Sequence, residues 1–316
     1  MTPTVLLWVV FGVIVVGVMA IDLGVVDRKA HAVSTREAAM WTAVWVSLAL
    51  LFNLGVYWMK GPDPALQFLT GYLIEYSLSV DNIFVFIMLF SYFAVDPLYR
   101  HRVLFWGIVG ALVFRGLLIG VGTALISRFH WIMYIFGAFL LFTAAKMAMS
   151  KDDEQPDPDN NRVVRLFKRF FPVTEKFHGE HFFVRMPDNK LVATPLFITL
   201  LVIETTDIMF ALDSIPAIFA VTTDSFIVFT SNVFAIMGLR SLYFLLDGIM
   251  GLFRYLKYGL TVILGFIGVK MLISGFVEIP TILSLGVVVG VLAISILLSV
   301  LIPERKDVNA ASSHND

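Results

Sequence analysis

Five carboxylates stand in stretches of this chain that are otherwise apolar. Glu75 and Asp81 lie in GYLIEYSLSVDNIFVF, and Glu204, Asp207 and Asp213 in PLFITLLVIETTDIMFALDSIPAIFAV. Four bases, Arg115, Lys146, Arg240 and Lys270, sit singly in other apolar runs. A charged side chain at the centre of a membrane-spanning helix costs roughly 2.5–3.5 kcal/mol on insertion scales, so five acids need an offset on the order of 10 kcal/mol. A lattice of salt bridges with the four bases is the plain explanation. A cation-binding cluster with the bases as outer partners is the other, and crowding of the acids onto two helices favours it. Asn82, Ser214, Ser79 and Thr206 add neutral oxygens nearby.

The donor set restricts the cation. Every histidine (His31, His101, His130, His178, His181, His314) falls in a loop or at the end of a span, and the chain has no cysteine. Oxygen-only coordination suits Mg²⁺, Ca²⁺ and Mn²⁺ and disfavours Zn²⁺ or Cu⁺. Met88 and Met209 could lend a thioether, although methionine in an apolar helix is chiefly a packing residue. Clustered carboxylates can also hold a proton in place of a cation, the chemistry of an antiporter. At 100° per residue Glu204 and Asp207 share a helix face, whereas Asp213 points about 120° away from Asp207. Pro216 removes a backbone hydrogen bond and is expected to open the helix beside Asp213.

The elements that must position these groups are membrane helices. Of 316 residues 59% are hydrophobic and only 15% charged, with a mean hydropathy of +0.87; runs of spanning length recur. The chain therefore reads as an all-α polytopic membrane protein. Nine helices are expected near 4–26, 38–59, 66–93, 101–126, 131–149, 193–220, 226–247, 256–277 and 280–302, within a transmembrane domain covering 1–302. The N-terminal run lacks a basic leader and reads as a retained span. Lys and Arg concentrate in the loops after spans 1, 3, 5 and 7 and in the tail, while Lys60 and Arg128 stand on the opposite face. That asymmetry implies an inner (plasma) membrane protein with its N-terminus outside and its C-terminus in the cytoplasm.

Residues 150–192 form a cytosolic loop between spans 5 and 6. KDDEQPDPDNN reads as a linker, RVVRLFKRFF as a basic amphipathic helix suited to an anionic membrane surface, and HFFVRMPDNKLVATP as a β-hairpin. Residues 303–316 read as a disordered cytoplasmic tail. Asp22 and Asp247 lie near inner helix ends, where snorkelling or pairing with Arg254 or Lys257 accounts for them.

The chain also repeats itself. Laying span 3 on span 6 at an offset of 132 puts Glu75 on Asp207, Asp81 on Asp213 and Asn82 on Ser214. GIVGALVFRGLL then lies on NVFAIMGLRSLY with Arg115 on Arg240, and FTAAKMAM on FIGVKMLI with Lys146 on Lys270. Three spans per unit make this an inverted 3+3 repeat, spans 3–5 against 6–8, the plan of many secondary transporters.

GYLIEYSLSVDNIFVF (71–86) and IETTDIMFALDSIPAIFAVTTD (203–224) resemble the two signature segments of the TerC family of integral membrane proteins. The likeness, to its Alx-like branch, covers nearly the whole chain through SYFAVDPLYRHRVLFWGI, EHFFVRMPDNKLVATPL, TSNVFAIMGLRSLYFLL and LKYGLTVILGFIGVKMLI. It implies a place among the LysE-type exporters, with manganese export, alkaline-pH response and tellurium resistance as associated roles. It further implies Glu75, Asp81, Glu204, Asp207 and Asp213 as acids of a metal pathway; some relatives carry Lys where Tyr76 stands. The expectation is a non-enzymatic exporter of divalent cations, Mn²⁺ foremost, with no firmly bound cofactor. Asn82 and Ser214 would join the ligand set, and Arg115, Arg240, Lys146 and Lys270 would support it. Its partners would be the bilayer and the cation, with no nucleic acid; a homodimer is left open. An intramembrane aspartyl protease lacks its GxGD here, whereas a non-transporting scaffold for envelope protein assembly, metalation or tellurite resistance stays an alternative.

Overall fold

Eight helices among the described residues are long and apolar enough to cross a bilayer. The structure, a computed structural model, describes residues 3–26, 34–129, 131–149, 161–187, 189–247, 255–277 and 279–301, without the side chains of 21–26 and Asp81. The linker at 151–160, His31, His130, Arg254 and the tail expected at 303–316 lie outside the described residues, as does the Asp22 side chain.

Helix α1 (Pro3–Val26) is the first expected span, and its described side chains are apolar over Thr4–Ala20. Helix α2 (Thr35–Lys60) starts under Ser34, whose Oγ accepts from the Glu37 amide at 3.3 Å. It stops at Gly61, where φ of +97° is open to glycine alone at low cost. Pro62 then opens α3 (Pro62–Tyr92), its fixed φ suiting the first helical turn. Asp96 caps α4 (Pro97–Arg128) by accepting from the Leu98 amide, and α5 (Ile132–Met149) follows.

The basic amphipathic stretch is α6 (Arg162–Phe170), capped by Asn161. Val164 and Phe167 turn inward, Phe167 meeting Phe197 at 5.2 Å, while Leu166 and Phe170 stay exposed. Strands β1 (Phe183–Arg185) and β2 (Leu191–Ala193) pair antiparallel, Phe183 opposite Ala193, around a turn in which Asn189 takes a positive φ. The hairpin leads straight into α7 (Pro195–Phe219). Thr194 ties the junction, its hydroxyl donating to the carbonyl of His181 at 2.8 Å.

The span expected at 226–247 consists of α8 (Ser225–Met237) and α9 (Leu239–Asp247), joined at Gly238, whose backbone stays in the right-handed helical region at φ −75° and ψ −12°. Gly238 faces Trp45 of α2, and the junction falls two residues before Arg240. Helices α10 (Leu256–Ile273) and α11 (Thr281–Leu301) complete the chain. Pro216 does not open α7: the helix runs through it to Phe219. Proline withholds only one amide donor, from the Leu212 carbonyl, and the bonds of the residues around it carry the helix past that gap.

Helices α3, α7 and α8 occupy the interior. α3 packs on α8, α4 on α7, and α5 on α10, while α3 and α7 touch each other. Each pairing joins one member of spans 3–5 to one of spans 6–8. Rings of Phe11, Phe52, Phe68, Phe226 and Phe234 pack α1, α2, α3 and α8 together, the closest centroids 4.8 Å apart. Outward-facing Val13, Leu51, Leu117, Phe142 and Leu297 leave the rim apolar, as contact with lipid tails requires.

Candidate functional site: a buried ion knot

Glu75, Asp207 and Arg115 lie near the midpoints of α3, α7 and α4. There they meet. Arg115 is fully buried, as is Glu75, and Asp207 is 4% exposed. The guanidinium forks onto Asp207, Nε donating to Oδ2 at 3.1 Å and Nη2 to Oδ1 at 2.8 Å. Its third nitrogen, Nη1, donates to Glu75 Oε1 and approaches Asn232 Oδ1 at 3.3 Å and Ser214 Oγ at 3.5 Å. Asn232 in turn donates Nδ2–H to Glu75 Oε2 at 2.7 Å, and the Ser79 hydroxyl donates to Glu75 Oε1 at 3.3 Å. Two acids from two helices thus share one base from a third. The planar fork of arginine suits this role, since it offers five N–H groups in fixed directions.

Desolvating three charges is tolerable only because each is hydrogen-bonded several times; removing one partner from such a group costs about 3–5 kcal/mol. The bases were expected as outer partners of a carboxylate cluster. Arg115 instead stands at its centre, because α4 packs directly on α7 and lies within reach of α3.

The other acids are elsewhere. Asp213 is half-buried on the face of α7 turned toward α5, where it accepts from Thr143 Oγ1 at 3.0 Å and lies within electrostatic reach of Lys146. With α7 unbroken at Pro216, the 120° offset stands and Asp213 cannot turn to the knot. Glu204, about one turn before Asp207 on the same face of α7, packs against Gly110 of α4, where a Cβ would collide with its carboxylate. Its Oε2 is buried with no hydrogen-bond partner among the described residues. Lys270 donates to Ser284 of α11 at 2.8 Å rather than to an acid. Asn82 is buried in α3; Asp81 is one residue before it, and its side chain lies outside the described residues. Asp247 pairs with Arg100 at 3.4 Å; the loop that follows it, with Arg254, lies outside the described residues. Among the described residues no three of His, Asp and Glu gather closely enough to hold a metal.

Beside the knot is a cavity of about 20 Å³, room for about one water molecule. Asp207, Arg240 and Gly107 line it, with Leu104, Ile203 and Leu239 among the apolar residues around them. A larger cleft, about 520 Å³, opens between α6, the segment after it at Val173–Glu175 and the start of α7, with Lys168 and Glu175 on its wall. It shares no residue with the knot.

Sequence reasoning does not reach Asn232 or Thr143. An asparagine inside the apolar run VFTSNVFAIM is the signal that could have found the first; Thr143 becomes visible only through its contact with Asp213.

A bundle of spanning helices closed around a sealed, multiply hydrogen-bonded ion group defines a polytopic integral membrane protein. The TerC integral membrane protein family matches residues 60–307, and the chain belongs to that family. An uncharacterized membrane protein of Myxococcus xanthus is 52% identical over 295 residues, 93% of this chain and 92% of its own length. A protein of Escherichia coli (strain K12), provisionally named membrane-bound redox modulator Alx, is 52% identical over 313 residues, 96% of this chain and 97% of its own. An uncharacterized membrane protein of Rickettsia bellii is 39% identical over 294 residues, 93% and 97% of the two chains. No solved structure matches.

Proposed function

We propose that this protein exports a divalent cation, Mn²⁺ foremost, across the inner membrane by alternating access. Glu75 and Asp207 are the central acids, and Asp81, Asn82, Glu204, Asp213 and Ser214 serve along the path. The observation that carries the reading is the sharing of one guanidinium by two sealed carboxylates on α3 and α7. Burying such charges is costly, and a purely structural core is served as well or better by apolar packing. In this reading Arg115 occupies the cation's place while the site is empty, and the entering cation displaces it, with protons as the exchanged ion. The oxygen donors of the knot suit a hard cation. The reciprocal pairing of α3 with α8, α4 with α7 and α5 with α10 supports two inverted halves. The basic residues of α6 orient that face toward the cytoplasm.

The relatives' provisional name speaks of redox modulation, but this chain has no cysteine through which thiol exchange could run. Reconstituted vesicles loaded with Mn²⁺ test the proposal. Flux is expected from the native chain and is expected to fall at least about tenfold in Asp207→Asn and Asp213→Asn, the loss of one charged ligand being worth about 1.4 kcal/mol or more. Equal flux in all three defeats it.

A scaffold is the second reading, favoured by the exposed Leu166 and Phe170 on the folded loop. Leu166→Asp with Phe170→Asp separates the two: a scaffold loses its cellular role, while an exporter keeps its vesicle flux.

A further inference from the structure

The two halves of the knot are not equivalent, and the inequality is localised. In the superposition of GIVGALVFRGLL on NVFAIMGLRSLY that sets Arg115 on Arg240, Gly107 falls on Asn232. Glu75 and Asp207 are likewise counterparts. Around Glu75, Asn232 fills the space, donating to the carboxylate at 2.7 Å and accepting from Arg115 at 3.3 Å. Around Asp207, the equivalent position is Gly107, and there the cavity of about 20 Å³ lies, with Arg240 on its wall. Asp207 therefore has Arg115 on one side and a void leading toward the counterpart arginine on the other. Glu75 is held by donors from three residues, Arg115, Asn232 and Ser79, whereas both oxygens of Asp207 rest on Arg115 alone among the hydrogen bonds described.

We propose that Asp207 is an exchangeable carboxylate, passing from Arg115 to Arg240 through the cavity beside Gly107 while Asn232 keeps Glu75 in place. The exchange deepens the transport reading and rests on it: handing Asp207 to Arg240 leaves Arg115 held by Glu75, Asn232 and Ser214 without its two-toothed grip on Asp207, which eases its displacement by an entering cation. The two arginines then alternate as the counter-charge in the two states of the cycle. A short aspartate is the right carrier, because its reach is small and its motion needs only a water-sized gap. Two discrete arrangements of one ion pair supply the bistable element that any switching protein needs.

Filling the cavity tests the exchange directly. A Cβ at Gly107 meets only Ile203 Cγ2, at 3.5 Å, an ordinary contact, so Gly107→Ala is expected to fold with the parent melting temperature, and the melting temperature of Gly107→Asn is measured beside it as the check on folding. Gly107→Asn recreates the amide of Asn232 beside Asp207 and is expected to lower Mn²⁺ flux at least about tenfold, a shift of one decade in the two-state equilibrium. Parent-level flux in a folded Gly107→Asn overturns the proposal.

A second arm needs no transport. Melting temperatures in detergent are compared for Arg115→Gln, Arg240→Gln and the double variant. Arg115→Gln also strips Glu75 of its counter-charge, so its own loss is expected to be large; if either arginine can neutralise Asp207, the double loses more than the sum of the two single losses. Additive losses overturn the exchange. Coupled melting temperatures in a chain that moves no Mn²⁺ at all sink the transport reading alone.

Discussion

The ion knot and the Asp213 edge of α7 contain the same chemistry in opposite surroundings. Around Glu75, Arg115 and Asp207, three helices seal every charge and each oxygen has a donor. At Asp213, one carboxylate is half-buried, holds a single hydroxyl from Thr143, and looks toward exposed Lys146. The difference teaches where electrostatics serves the fold and where it is left available. In the sealed knot the charges are interdependent, since a low-dielectric setting magnifies both their attraction and the penalty for leaving one alone. At the edge the carboxylate is nearly independent of the fold and can be altered without collapse.

Four substitutions break or sharpen this contrast. The largest effect is expected from Glu75→Lys, which sets a second cation against Arg115 in a sealed site; a loss of about 3–5 kcal/mol or more leaves little folded protein by size-exclusion of detergent extracts. Asn232→Leu comes next. It strips Glu75 Oε2 of its donor and is expected to cost about 1–3 kcal/mol in thermal unfolding. Asp213→Asn, at the edge, keeps an acceptor for Thr143 and is expected to cost under about 1 kcal/mol while still lowering Mn²⁺ flux. A destabilisation as large as that of Asn232→Leu would erase the contrast. Lys60→Ala is the smallest, removing the partly exposed pair with Asp224 at 2.6 Å for about 0–1 kcal/mol, less at high salt.

Two repeat-related lysines carry the same lesson outward. Lys270 is buried against α11 and donates to Ser284, whereas Lys146 on α5 is exposed. Helix α11 packs against α3 and α10, so identical residues in the two halves meet different neighbours. No reading of one half could assign the environment of the other.

From the sequence by itself came the membrane class, because apolar runs of spanning length have no other stable solvent. The helical character of each span and the hairpin over HFFVRMPDNKLVATP were equally legible, since each depends on neighbours a few residues away, and the matching positions of Glu75 and Asp207 came from laying one half of the sequence on the other. Tertiary structure alone decided that Arg115 joins those acids, that Asn232 completes the group, and that Asp213 stays outside it. Helical periodicity tells which way a side chain points on its own helix; what it meets there depends on how α3, α4, α7 and α8 are packed, and that is set by contacts between residues 40 to 157 positions apart in the chain.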